Sequence, residues 1–437
     1  MQHEPAQDRT AIDPAPHRDS RPSAAVIGAG ISGLTAAYVL SRTHDVTLFE
    51  ADDRLGGHAH THDVADRNGV LAVDSGFIVH NDRTYPHLLR LFAELGVETR
   101  PTEMSMSITC DSCGLSYAGG RGLKGFLAQP RRAFDPAYLR MLSQVPRFHR
   151  AAKELLATDG PEVTWGEFLA AGDFSADFVR HFALPLVSCV WSADDEDALA
   201  YPARHLFRFL EHHGMLTVKG SPTWRTVVGG SRRYVALLAA QLGDVRRSSR
   251  VVAVSRHGDG VDVTVDGGTP TTFDHAVIAV HADQALELLV DASPQEKQDL
   301  MAIEYSRNHT VLHRDSTVLP KARGARAAWN HRATCGAVET GGGVAVSYWM
   351  NLLQGIEAEG DLVVTLNGGS DIDPATVIAR MDYTHPIFTP EAVAAAARLK
   401  AAGGERLAFA GAHLGWGFHE DGCRSGVDAA AKLGTIW

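Results

Sequence analysis

Apolar residues run without interruption from Ala24 to Ile27, which reads as a buried strand, and the run breaks at Gly28-Ala29-Gly30-Ile31-Ser32-Gly33. Small and apolar residues then continue as a helix, and a second strand follows from Asp45 to Phe49, ending on Glu50. Beyond Gly57 the pattern alternates polar and apolar around Arg67-Asn68-Gly69, predicting a hairpin that returns to Asp74-Ser75-Gly76-Phe77. Residues 84 to 96 place Leu88, Leu89, Phe92 and Leu95 at helical spacing and stop at Gly96. A long helical region follows over 131–215, with Pro136, Pro146, Pro161, Pro185 and Pro202 expected to divide it into separate helices. Gly229-Gly230-Ser231 opens another helix, and the segment from Arg246 to Asp283 reads as strand, hairpin and strand. Further strands are expected from Val344 to Asn351 and from Leu362 to Asn367. The chain closes with an apolar strand from Leu407 to Gly411, a glycine-aromatic loop, and a helix opened by Glu420-Asp421-Gly422-Cys423-Arg424-Ser425-Gly426.

Composition narrows the class. The chain has 437 residues, 45% hydrophobic and 21% charged, enough for two domains with full cores. A net charge of −11 disfavours nucleic acid, whose backbone demands concentrated Lys and Arg. Cys110, Cys113, Cys189, Cys335 and Cys423 are scattered and odd in number, so a reducing cytoplasm is expected in place of a disulfide framework. Residues 1–22 have no apolar core and read as a disordered tail. Ala24 to Leu40 is too short and too glycine-rich to span a membrane, so no transmembrane segment is expected.

The opening βαβ run carries the dinucleotide fingerprint. Gly28 makes the tight turn, Gly30 lets a pyrophosphate approach the backbone, Gly33 permits close helix–strand packing, and Ile31 and Ser32 present helix N-terminal N–H groups. Glu50 stands where an acid binds ribose hydroxyls. Arg54 is a candidate phosphate donor, and Gly56-Gly57 leaves room for a flat ring. The second glycine loop, with Gly411 before it and Glu420, Asp421, Gly422 and Ser425 after it, forms another helix N-terminus able to stabilise negative charge on a reduced ring. His58, His60 and His62 alternate on one strand, and Cys110 and Cys113 flank a hairpin. Neither pattern has a complete ligand set, so no metal site is expected.

E-x-x-x-R-x-G-G after a complete fingerprint resembles the FAD signature of the flavin amine oxidase and carotenoid desaturase superfamily. The runs VDSGFIVHNDRTYPHLLRLFAELGV, LPLVSCVWSA, WRTVVGGSRRYV and GWGFHEDGCRSG resemble a bacterial subfamily of predicted FAD/NAD-binding proteins, from about residue 24 to the end. The resemblance implies noncovalent FAD, with His58, Gly76 and Phe77 beside the flavin and Val251 meeting the adenine through its backbone. It implies an α/β fold: a discontinuous Rossmann-type FAD-binding domain (23–110, 221–285 and 391–437) and an α+β, amine oxidase-like substrate-binding domain (111–220 and 286–390).

Hydride chemistry at a flavin needs mainly a C–H bond positioned in a dry pocket. Candidate catalytic residues are Asn81, Tyr85, His281, Tyr348, His385 and His419, with His80, Trp349, Asn351 and Trp416 as further lining. The expected function is that of an FAD-dependent dehydrogenase, desaturase or oxidase acting on an apolar or acyl-type small molecule. Flavin amine oxidation and redox-neutral isomerisation are the alternatives; Lys219, Lys297 and Lys321 all lie outside the motifs, which weighs against the amine reading. A basic stretch, Arg131 to Lys153, offers peripheral contact with an anionic head group or membrane surface. Oligomeric state is left open.

Overall fold

The computed structural model describes residues 21–67, 69–191, 194–217, 220–333, 345–368 and 371–437. Nearly all of the expected tail, with Asn68, Lys219, Cys335 and Val344, falls outside them.

The apolar runs form one parallel sheet. Its strands lie in the order Asp244–Arg246, Asp45–Phe49, Ser23–Ile27, His275–Ile278 and Leu407–Phe409. Asp45–Phe49 and His275–Ile278 pair directly with Ser23–Ile27, Asp244–Arg246 and Leu407–Phe409 extend the sheet on either side, and all pairs are parallel. Ser23–Ile27 buries Ala24, Ala25 and Val26 completely, as a strand covered on both faces must. Helices Ile31–Leu40 and His419–Lys432 lie against each other on one face. Two glycines of the second helix make the approach: a Cβ on Gly422 would come within 2.6 Å of Ile31 Cγ2, and one on Gly426 would overlap the Ser32 carbonyl. A three-stranded antiparallel unit, Val251–His257, Gly260–Val265 and Thr271–Phe273, is inserted before His275–Ile278.

The other layer is a seven-stranded sheet in the order Val377–Pro386, Tyr305–His313, Val363–Leu366, Val346–Trp349, Trp329–Ala333, Met106–Cys110 and Leu115–Gly119. Met106–Cys110 lies within the stretch assigned from sequence to the nucleotide unit, yet it pairs in parallel with Trp329–Ala333 and belongs to this second sheet. The helical stretch packs around Trp165, Phe148, Phe178 and Phe207, all fully buried.

The hairpin Thr61–Asp66/Gly69–Asp74 and the helix Pro86–Leu95 form as the pattern predicts. Two prolines do not divide helices as expected. Pro146 sits inside Pro136–Ala157, and Pro185 sits one residue into Leu184–Trp191. A π-helical turn, Val179–Ala183, precedes the latter, and such widening relieves the clash of a proline ring with the carbonyl four residues back. The strand expected to reach Asn351 stops at Trp349, where the helix Met350–Leu353 takes over.

Candidate FAD-binding and active site

At the C-terminal ends of the parallel strands, Gly28 turns with φ of +98°, a conformation L side chains rarely adopt. The helix Ile31–Leu40 begins without a side-chain cap, its N-cap being Gly30, so the N–H groups of Ile31, Ser32 and Gly33 have no intrahelical acceptor. A Cβ built on Gly30 meets nothing within 4 Å, whereas one on Gly33 would overlap the Gly28 carbonyl oxygen. The first glycine borders open space and the second is packing. Gly56 returns to the fingerprint by donating to the Ala29 carbonyl at 2.8 Å, and Gly57 lies against Gly30. The Glu50 carboxylate accepts from Ala29 N at 2.8 Å and Asp52 N at 3.0 Å, which holds it at the strand end. Ser249 N donates to the Glu50 carbonyl at 2.8 Å, so the strand opening at Val251 starts beside that acid.

Arg54 differs from expectation. Its guanidinium donates to the carbonyls of Gly57 at 2.8 Å, Ala59 at 3.0 Å and Leu55 at 3.3 Å, tying down the loop that was expected to reach a phosphate through this arginine. Gly76 and Phe77 back onto the same loop. Phe77 N donates to the His58 carbonyl at 2.7 Å, and a Cβ on Gly76 would overlap that oxygen.

His58 emerges from this loop into a cluster of rings. Its centroid is 5.1 Å from Tyr383, 5.5 Å from His385 and 6.1 Å from His281. Burial, then the neighbouring imidazoles, hold His58 well below the usual histidine range, and its Nε2 is buried without a hydrogen-bond partner. Burial likewise holds His385 at about 4 and lowers His281. These rings are therefore neutral at pH 7. Asn367 donates to Asn308 Oδ1 at 2.8 Å, so Asn308 turns its Nδ2 to His385 Nδ1 at 2.9 Å and leaves the imidazole proton on Nε2. His281 is fixed by Thr384 Oγ1 at 3.2 Å and stacks on Tyr305 at 4.5 Å. Beside them, Ser75 Oγ, the Tyr383 hydroxyl and His60 Nδ1 form a relay with steps of 2.7 and 3.0 Å, and His62 Nε2 joins it through Ser75 at 2.8 Å. His281 and His385 were anticipated; Tyr383, Asn308, Tyr305 and His60 as a relay member were not. The hint available was period-two spacing, which puts Tyr383 and His385 on one face of a strand.

The C-terminal loop provides the opposite boundary. His419 stacks on Phe77 at 3.7 Å and bonds the Tyr234 hydroxyl at 2.6 Å; burial holds it at about 3. Gly411 N donates to Ser425 Oγ at 2.9 Å, so Ser425 shapes the glycine loop. Asp421 accepts from Phe418 N at 3.1 Å and pairs with Arg424 at 2.6 Å, burial raising its carboxyl to about 6. Glu420 accepts from His87 N, Leu88 N and His87 Nδ1 at 3.1, 3.0 and 2.7 Å, capping the helix Pro86–Leu95. Both acids were expected at the cofactor and are instead engaged with protein groups. Trp191 Nε1 donates to the Trp416 carbonyl at 3.0 Å, and Trp416 Nε1 to the His205 carbonyl at 3.2 Å. Phe209 stacks on Phe418 at 4.6 Å, completing an aromatic wall between the helical layer and the glycine loop.

Three further catalytic candidates are taken up by turns, caps and core packing. Asn81 is fully buried and accepts from Arg83 N and Thr84 N, forming an Asx turn. Tyr85 is the N-cap of Pro86–Leu95, its hydroxyl pushed far up by burial. Tyr348 packs against Trp329 at 5.3 Å in the core of the seven-stranded sheet. The lining candidates Trp349 and Asn351 hold the loop to Asp361 and Gly360, and His80 lies buried beside Phe92 at 5.2 Å.

Fold and site together define a dinucleotide-binding flavoprotein. Residues 31–311 match the flavin containing amine oxidoreductase family. A Mycobacterium tuberculosis protein provisionally named flavin-containing monoamine oxidase AofH is 31% identical over 253 residues, 56% of this chain and 53% of the relative. The carotenoid phi-ring synthase of Streptomyces griseus is 28% identical over 321 residues, 67% of this chain and 60% of the synthase. Cyclohexylamine oxidase from Brevibacterium oxydans superposes with a TM-score of 0.68 at 18% identity, covering 94% of this chain and 98% of the oxidase. The matches span about half the length of the curated relatives.

The chain belongs to the flavin containing amine oxidoreductase family, and its cofactor is FAD. The residues present fit that group: an uncapped helix N-terminus beside open space at Gly30, a carboxylate at the adjoining strand end, and an unpartnered buried imidazole nitrogen beyond. Among the described residues no helix is long and apolar enough to cross a membrane.

Proposed function

We propose that this protein is an FAD-dependent oxidoreductase that takes hydride from a C–H bond of an apolar or acyl-type small molecule. The aromatic wall beside an uncharged imidazole cluster carries the reading. Trp416 and Phe418 are half-buried and offer apolar surface without charge, backed by the buried Trp191 and Phe209, which favours a hydrocarbon chain or polyene. The likeness to a carotenoid ring synthase supports an apolar substrate.

We assign the pyrophosphate to the N–H groups of Ile31, Ser32 and Gly33, the ribose to Glu50, and the flavin to the space bordered by Gly57, His58 and the loop after Gly411. FAD supplies a hydride acceptor when bound. The chain's own contribution is position and proton placement. His58 Nε2 offers a buried acceptor, His385 Nε2 holds a proton, and the Ser75–Tyr383–His60 relay can pass one outward. The aromatic wall excludes water, which strengthens these interactions.

A surface feature bears on substrate access. Phe134 and Leu123 are 87% and 78% exposed, with Leu127 and Leu139 also exposed, among Arg121, Lys124, Arg131 and Arg140. Apolar side chains interleaved with basic ones suit an anionic lipid surface, the source of an acyl substrate.

The relative named as a monoamine oxidase favours amine oxidation as the second reading. An anaerobic screen of flavin bleaching against fatty acyl chains, polyenes and primary amines separates the two. Bleaching by acyl chains or polyenes supports the proposal. Bleaching by amines alone, with aldehyde and ammonia released, replaces it, and turnover without bleaching assigns redox-neutral isomerisation.

A further inference from the structure

We propose that Cys110, Cys113 and His181 bind one zinc ion at the outer edge of the seven-stranded sheet, away from the flavin site. Sequence spacing shows only two of these ligands. The third comes from the π-helical turn Val179–Ala183, which packs against Met106–Cys110. π-Helical turns re-aim side chains and occur often at functional positions.

The geometry is close to what the metal requires. Tetrahedral zinc, with Zn–S of about 2.3 Å and Zn–N of about 2.0–2.1 Å, needs S···S edges of about 3.8 Å and S···N edges of about 3.6 Å. Cys113 Sγ lies 3.8 Å from His181 Nε2, and one ligand atom from each of the three residues lies within 4.8 Å of the others. The turn that presents the thiols is built for it: Cys110 ends its strand, and Gly114, with φ of +64°, lets the chain reverse directly after Cys113. The supporting backbone is fixed independently. Tyr117 donates to the His181 carbonyl at 2.7 Å, Arg132 to the Cys113 carbonyl at 2.9 Å, and Gln129 to the Gly114 carbonyl at 2.9 Å.

Charge and softness select the metal. Each thiol releases its proton to solvent on binding, and two thiolates cancel the charge of Zn²⁺ exactly where Arg132 and Arg180 oppose Asp177 around the histidine. Two sulfurs and a nitrogen exclude magnesium and calcium and suit zinc. Cys113 is exposed, so water completes the fourth position. The ion joins residues 68 positions apart and fastens the helical layer to the sheet edge.

The test uses the full-length holoprotein. Zinc and FAD per chain are measured on the same sample after incubation with zinc and gel filtration. The expected result is about one tightly held zinc per chain in the wild type, lost in Cys113→Ser, with FAD content unchanged in both. Cys113 is exposed, so the variant removes a ligand without opening a cavity; Cys189→Ala, a buried cysteine outside the cluster, keeps its zinc. Cobalt substitution should give thiolate-dependent ligand-field bands at wavelengths where FAD does not absorb. Wild-type protein that holds no zinc, a Cys113→Ser variant that holds as much as wild type, or a Cys110–Cys113 disulfide seen as loss of two hydrogens in the intact mass each overturns the proposal.

Discussion

Replacing Gly30 by valine should empty the protein of FAD while leaving its fold intact. Gly30 has φ −69° and ψ 178°, extended backbone that valine adopts, and its Cβ direction points into open space. The apoprotein should therefore change in stability by no more than about 1 kcal/mol. The cofactor meets a different situation. A side chain there occupies the approach of the pyrophosphate to the Ile31, Ser32 and Gly33 N–H groups. Hydrogen bonds to charged groups contribute about 1.5–3 kcal/mol each, so losing two costs about 3–6 kcal/mol. At about 1.4 kcal/mol per decade, Kd for FAD should rise roughly 10²- to 10⁴-fold. Titrating apoprotein with FAD by fluorescence quenching gives Kd, and thermal unfolding of the apoprotein gives the fold control. Gly33→Ala is the contrasting variant: its Cβ would overlap the Gly28 carbonyl, an overpacking that costs about 1–3 kcal/mol or more in the apoprotein itself. Unchanged FAD affinity in Gly30→Val, or an apoprotein more damaged by it than by Gly33→Ala, would refute the assignment of the groove.

Glu420→Ala should lower stability by about 1–3 kcal/mol, because it strips two backbone N–H groups of their acceptor at the start of Pro86–Leu95; denaturant unfolding of the apoprotein reads this. Acidification should destabilise the protein. Buried histidines with depressed pKa, among them His385 at about 4 and His413 and His419 at about 3, bind protons in the unfolded chain first, so their contribution is lost as pH falls from about 6.5 toward 4. Asp74 and Asp421, raised to about 6 by burial, act oppositely between about 6 and 4, but they are outnumbered. A midpoint of thermal unfolding that stays level or rises between pH 7 and 5 would contradict this balance. Phe134→Ser should weaken co-sedimentation with anionic vesicles, and binding should also fall with added salt; equal binding to neutral vesicles would argue against the basic and apolar patch acting together.

What could be read beforehand follows the range of the forces involved. The parallel sheet was legible because its strands are continuous apolar runs and its turn needs glycine at Gly28, where φ is +98°. Local rules reach that far. They read the hairpin of Met106–Cys110 with Leu115–Gly119 but not the sheet it joins, since its other partner strand begins more than 200 residues later and pairing of that kind leaves no local trace. The acids of the last helix show a second limit. A helix N-terminus marks Glu420 and Asp421 as near an anion-binding end, but whether a carboxylate faces a cofactor or caps a neighbour depends on which element packs there, and Pro86–Leu95 takes Glu420. The imidazole cluster is a third case: His58, His281 and His385 come from three separate segments, with His58 6.1 Å from His281, and the docking of the second sheet brings His385 within 5.5 Å of His58. Glycine positions could thus be read as marking open backbone, because backbone exposure is a local property. Which residues join the imidazole cluster is set by how the second sheet docks, a property of the whole fold.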